Sequence, residues 1–226
     1  MKKTGAKVRK TGRKNWNTKR LDKAEQAGAK FVIGIDEVGR GPLAGPVAVC
    51  AFRAEISWLK EMAKDKKFLS GGFDSKKLTE KTREHWYQKV LDLAKQYDLD
   101  WHISYGENES IDSHGLSLAI KNCIKSCLLG VGAKSDTCQI FLDGSLKADE
   151  DFKQETIIGG DAKELAIALA SIMAKVERDR LMVKMHDKYP KYGFHEHKGY
   201  GTKNHLDAIR KHGPSPIHRR SFLKKV

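Results

Sequence analysis

The sequence has no long apolar run: no window approaches the roughly 18 consecutive apolar residues of a membrane-spanning helix. No apolar segment follows the Lys-rich opening residues, so they do not read as a secretory leader, and a cytoplasmic location is the expectation. There is no Gly-x4-Gly-Lys-Ser/Thr motif, which argues against a nucleotide-fuelled machine. Cysteine is sparse, and Cys50, Cys123, Cys127 and Cys138 form no Cys-x-x-Cys pair. Cys123 and Cys127 share one face of an expected helix, where buried free thiols are the simplest state. Acid is the scarcer charge, 29 residues against 43 Lys and Arg, for a net +14. That balance points to a polyanionic partner. With 226 residues, 39% of them hydrophobic, the chain can fill the core of one sizeable domain and is not wholly disordered.

The positive charge sits at the two ends. Residues 1–24 carry ten basic side chains and one acid, and residues 184–226 carry eleven basic and three acidic ones. The stretch between them is therefore slightly acidic. A metal-dependent nuclease needs this division, with carboxylates to hold cations and Lys and Arg to grip phosphates. Residues 1–24 lack apolar periodicity and read as a disordered basic arm, or as a solvated tail without a specific role. Residues 25–226 read as the catalytic domain, with a helical C-terminal segment from about 186.

Phe31-Val-Ile-Gly-Ile35 has the β-branched, apolar character of a buried strand, ending at Asp36-Glu37 before a Gly39-Arg40-Gly41-Pro42 turn. A returning strand is expected over 46–52, and further strands over 101–105, 139–142 and 156–158. Helices are expected within 56–69, from Thr79 to about Tyr97, over 116–129, and from about Lys163 to His186, where Pro190 and Gly193 stop the last one. The stripe Leu165, Ile167, Leu169, Ile172 and Met173 reads as core. The order implies an α/β domain with a mixed central sheet flanked by helices.

Three acidic sites sit at strand ends or glycine turns: Asp36-Glu37, Asp143 and, after Gly159-Gly160, Asp161. Exposed catalytic groups occupy such places in α/β sheets, although any one of these acids alone would read as a turn former or cap. Asp36 and Glu37 are neighbours, so on a regular strand they face opposite ways. For both to reach one centre a twist or bulge is expected, which Gly39 and Gly41 permit. Asp and Glu oxygens suit Mg²⁺ or Mn²⁺, and no soft Cys/His set stands beside them.

The run Gly34-Ile-Asp-Glu-Val-Gly-Arg-Gly-Pro-Leu-Ala-Gly-Pro-Val47 resembles the signature of ribonuclease HII. Asp74-Ser-Lys-Lys-Leu78, Leu142-Asp-Gly144, Gly160-Asp161, Ala170-Ser-Ile-Met-Ala-Lys-Val176 with Arg178-Asp179, Tyr192-Gly-Phe194, His197-Lys-Gly-Tyr-Gly-Thr202, His205 and His218-Arg-Arg-Ser-Phe222 resemble its other blocks, in order. The likeness spans about residues 30–222. It departs at Ser145, where the family usually has Asn, and at Gly159-Gly160, where it usually has Lys-Gly.

The resemblance implies an RNase H-like fold and an endoribonuclease that uses two divalent ions; a monomer is the separate expectation. Its substrates would be the RNA strand of RNA/DNA hybrids and single ribonucleotides embedded in DNA, cut on their 5′ side to leave 5′-phosphate and 3′-OH ends. Asp36, Glu37, Asp143 and Asp161 would be the catalytic and metal-holding acids. Amides of Gly39-Arg40-Gly41 would meet the ribose 2′-OH, Tyr200 would pack on the sugar at the RNA–DNA junction, and Ser75 and Lys76 would touch the backbone. His197 and His205 are open between phosphate contact and packing. Two rivals stand beside this reading. One is ribonuclease HIII, which normally carries a larger N-terminal domain than the short arm here. The other is a catalytically silent basic binder in which the acids merely cap turns.

Overall fold

In a computed structural model, residues 16–69 and 78–224 are described. Ser75 and Lys76 lie outside the described residues. Helix α1 (Lys19–Gln26) leads into β1 (Phe31–Val38) and β2 (Val47–Glu55), followed by α2 (Ile56–Met62), α3 (Lys66–Leu69) and α4 (Glu80–Leu93). Then come β3 (Leu99–Gly106), α5 (Asn108–His114), α6 (Leu116–Gly130), β4 (Cys138–Asp143) and β5 (Gln154–Ile157). The long α7 (Leu165–Lys188) and the short α8 (Phe194–His197) and α9 (Lys203–His212) complete the order.

The strands form one five-stranded mixed sheet in the order β3-β2-β1-β4-β5. β1 is antiparallel to β2 and parallel to β4. Alternation along the central strands sorts side chains between two cores. Val32, Phe52 and Phe141 pack against α7, while Ile33, Ile35, Val49 and Leu142 pack against α6. Gly34 is what lets α7 lie directly on β1, because a Cβ there would overlap the backbone of Ala166. Leu165 through Ala174 are all buried, since the first half of α7 is enclosed between the sheet and α1, α2 and α4. The expected core stripe lies within that half, and all four cysteines are buried and free. Among the described residues, no helix is long and apolar enough to cross a membrane.

Two expectations need correction. The disordered arm was expected to run to residue 24, but from Trp16 onward the chain is part of the fold. Trp16, Leu21 and Ala24 are buried in the α7-side core, and Arg20 pairs with Glu164 at 2.9 Å and Glu155 at 2.6 Å. Charge density hid a short amphipathic helix. Nor does β1 bulge at its acids. Its ladder with β2 runs unbroken through Asp36↔Cys50, Glu37↔Val49 and Val38↔Ala48.

Candidate active site

The unbroken strand still brings its two acids to one place, because its two neighbours end at different points. The β1–β4 register stops at Ile35↔Leu142, while β1 continues alongside β2. One step further, that register sets Asp36 beside Asp143. Beyond it β1 has a free flank, and Asp36 and Glu37 reach the opening from opposite faces. Asp36, Glu37 and Asp143 line one cleft of about 280 Å³ together with Gly39, Arg40, Gly41, Ser171, Lys175 and Tyr200.

Each acid is held by a short-range partner. Asp36 lies on the α7 face, where the Ser171 hydroxyl hydrogen-bonds it and its Oδ1 accepts the Glu37 N–H at 2.8 Å. Glu37 Oε1 accepts from Arg40 Nη1 at 3.1 Å, whereas its Oε2 is buried without a partner. Asp143 Oδ1 accepts the Gly160 N–H at 2.6 Å. Asp161 follows in a 3₁₀ turn, Gly160–Ala162, and is buried next to that contact rather than lining the cleft.

Burial pushes the Asp36 carboxyl well above its ordinary range, with the charges of Glu37 and Asp143 adding to the effect and Ser171 opposing it. Glu37 is also raised by burial, and Arg40 partly offsets this. Carboxylates crowded together and partly buried repel one another, and an added divalent cation relieves that repulsion. Among the described residues, no three His, Cys, Asp or Glu side chains close around a common point. The acids therefore line the cleft without forming a cage. That suits hard ions such as Mg²⁺, which bind through one or two carboxylates and keep several waters. The all-oxygen acidic donors and the unpartnered Glu37 Oε2 fit such an ion.

Four functional residues had gone unassigned. Ser171 and Lys175 sit one turn apart on α7 and face the cleft, and Lys175 Nζ donates to Asp179 Oδ1 at 2.7 Å. Their i, i+4 spacing was the available signal. Arg178 and Arg219 are fully buried and donate to backbone carbonyls of the glycine loop. Arg178 Nε reaches Pro46 O at 2.9 Å, and Arg219 reaches Gly39 O at 2.7 Å, Arg40 O at 3.0 Å and Gly45 O at 2.9 Å. In a trans peptide the N–H points away from the C=O. With the Gly39 and Arg40 carbonyls turned to Arg219, the amides of Arg40 and Gly41 point the other way. Neither donates to a protein acceptor among the described residues, and both residues are exposed. Gly39, at φ +91°, makes the loop possible, and a Cβ there would overlap the Arg178 side chain. Tyr200 is 41% exposed, leaving its ring open to a ligand. A Cβ on Gly41 would stand 3.9 Å from that ring.

His205 is fully buried, with Nδ1 2.9 Å from Tyr200 O and Nε2 3.0 Å from His218 Nε2. It supports the Tyr200 backbone and is not a phosphate contact. His197 Nε2 lies 2.7 Å from Tyr192 O.

A mixed sheet in this order, with acids at the adjoining ends of its parallel central pair, defines an RNase H-like hydrolase. Residues 33–225 match the family model for ribonuclease HII. The chain is 43% identical over 202 residues to ribonuclease HII of Acetivibrio thermocellus, covering 89% of this chain and 73% of that one. It is 39% identical over 205 residues to ribonuclease HII of Caldicellulosiruptor bescii, covering 91% and 92%. Its fold resembles the ribonuclease H2 of Pyrococcus horikoshii, with TM-score 0.64, 23% identity and coverage of 84% and 93%. It also resembles the RNase HII of the PCNA:RNase HII complex from Archaeoglobus fulgidus, with TM-score 0.65, 20% identity and coverage of 84% and 94%. A Bst-RNase HIII in complex with Mn²⁺ has TM-score 0.58 at 18% identity, covering 84% of this chain and 65% of that one. The chain belongs to the ribonuclease HII family and is an endoribonuclease of the ribonuclease H type.

Proposed function

We propose that this enzyme cuts the RNA strand of RNA/DNA hybrids and the 5′ side of single ribonucleotides embedded in duplex DNA, leaving 5′-phosphate and 3′-OH ends. The observation that carries the reading is one cleft lined by Asp36, Glu37 and Asp143 and by the Gly39-Arg40-Gly41 loop and Tyr200. Asp36, Glu37 and Asp143, with Asp161 beside them, would hold Mg²⁺ or Mn²⁺. Two such ions would stabilise charge on the attacking and leaving oxygens of the scissile phosphate.

The chain's own groups supply recognition. The outward amides of Arg40 and Gly41 donate to a ribose 2′-OH, the group that marks RNA locally, without reading the base. The exposed Tyr200 ring packs on the next sugar and tolerates the absence of a hydroxyl there. Arg40 balances Glu37 and presents positive charge to the phosphate. Lys175, held by Asp179, adds a second cation at the cleft wall.

The test is a labelled duplex containing one ribonucleotide. Cleavage is expected with Mg²⁺ or Mn²⁺, stops with EDTA, and does not occur on an all-DNA duplex. Asp143→Asn keeps the shape but removes the anion. It should lower the single-turnover rate by at least about a hundredfold, since metal stabilisation is worth several kcal/mol. Near wild-type cutting by that variant would remove Asp143 from the metal site.

A further inference from the structure

A second depression opens beside the cleft. It encloses about 710 Å³, within the range of sites that take an organic ligand. Arg40 lines both spaces and so joins them. One wall is the start of α6, with Ser117, Ile120 and Lys121. The other is the segment that follows Asp143, with Ser145, Leu146 and Lys147.

That second wall is fixed in place. Gln154 Nε2 donates to Ala148 O at 3.2 Å and Asp149 O at 3.0 Å, and the Ala148 N–H donates back to Gln154 Oε1 at 2.9 Å. Thr156 Oγ1 donates to Leu146 O at 3.1 Å, and the Leu146 N–H donates to Asp143 O at 3.2 Å. The wall is thus tied at one end to a catalytic acid and at the other to β5. Lys121 and Lys147 are exposed, and neither makes an ion pair among the described residues. Two unpaired lysines and hydroxyls from Ser117 and Ser145, on an apolar floor of Ile120 and Leu146, suit a sugar–phosphate chain. Asp149 and Glu150 follow in the same loop and set a limit to the anionic stretch.

We propose that this groove is a second substrate subsite, holding phosphates of the cut strand one or two nucleotides from the scissile one through Lys121 and Lys147. The inference rests on the functional reading above. Ser145, where the family usually has Asn, stands on the rim of this subsite, so the departure alters strand contact rather than the acids.

The test is equilibrium binding of a labelled one-ribonucleotide duplex in EDTA, which does not depend on cleavage. Wild type is compared with Lys121→Gln/Lys147→Gln, and with Lys30→Gln/Lys134→Gln, which removes equal charge at the opposite end of the sheet. Each lost phosphate contact lowers the slope of log affinity against log salt by about 0.9. The groove variant should lose between about one and two units of slope and the control none. Its affinity deficit should accordingly shrink by up to about tenfold between 50 and 200 mM salt. Shortening one flank of the duplex should weaken wild type but not the groove variant. Equal slopes for wild type and groove variant, or equal sensitivity to flank length, would overturn the subsite. A wild type that binds but cuts no ribonucleotide substrate would instead overturn the functional reading and leave the slopes to decide the groove.

Discussion

At the scale of single residues, the side chain with the widest reach is Arg219, which is fully buried behind the glycine loop. Its guanidinium fixes two successive peptide planes of the glycine loop, and thereby aims the amides of Arg40 and Gly41. Lysine has no planar fork of donors and cannot hold three carbonyls in the same way. Arg219→Lys should therefore erode recognition of the 2′-OH. A hydrogen bond to that hydroxyl is worth about 1–3 kcal/mol, or up to about a hundredfold. The measurement is the ratio of single-turnover rates on a ribonucleotide and on its 2′-fluoro analogue. A narrowed ratio is expected, whereas an equal fall on both substrates would mean that Arg219 only supports the fold. The acids were legible in the sequence because strand-end carboxylates beside glycines form a local pattern. Arg178 and Arg219 were not, since the carbonyls they hold in the glycine loop lie 132 to 180 residues away. No local pattern announces a carbonyl.

At the scale of elements, most strands and long helices were readable from apolar runs and capping residues. Thr79 caps α4 as expected, its side chain accepting the Thr82 N–H. The elements that escaped were short or charged: α5, which was not foreseen, and α1, read as part of a basic arm. For α1 the difference has an energetic consequence. Its Arg20 pairs with the buried Glu164, which immediately precedes α7 and stands three residues after Asp161. Burial raises the Glu164 carboxyl to about 7 despite that partner. Deleting residues 1–15 removes seven basic side chains and none of the described fold. Deleting 1–24 also strips Trp16, Leu21 and Ala24 from the core and leaves Glu164 without Arg20. The shorter deletion should flatten the salt dependence of hybrid binding and leave the melting temperature unchanged. The longer one should cost at least about 3 kcal/mol of stability, the scale of losing one large buried side chain. Denaturant titration of both proteins checks this, and equal stability would return residues 16–24 to the arm.

At the scale of the whole molecule, a neutral histidine chain joins the C-terminal segment to the cleft. The Ser215 N–H donates to His218 Nδ1 at 2.9 Å, so the remaining ring proton of a neutral His218 faces His205 Nε2 at 3.0 Å. His205 Nδ1 then donates to Tyr200 O at 2.9 Å. These tautomers follow from the partners. A further proton would set two N–H groups against each other. Burial lowers both histidines from 6.5 to about 4, with His197 adding to the effect at His205 and His205 adding to it at His218. Between those values the unfolded chain binds more protons than the folded one. The pair's contribution is thus whole above about pH 6.5 and is lost as pH falls towards about 4. One such shift is worth about 3 kcal/mol, and the two are coupled rather than additive. Urea titrations of wild type and His218→Gln across this range should converge at low pH, because the variant lacks part of the proton uptake. Parallel curves would exclude the pair as the source. The stapling of the glycine loop also has a consequence in time. The acids of β1 and β4 are translated before the anchor at Arg219, and the ribosome releases the chain from its N-terminal end. A nascent chain can pair its central strands and gather its carboxylates while the recognition loop is still unanchored. The emergence of the segment that carries Arg219 therefore decides when a gathered set of acids becomes a selective enzyme.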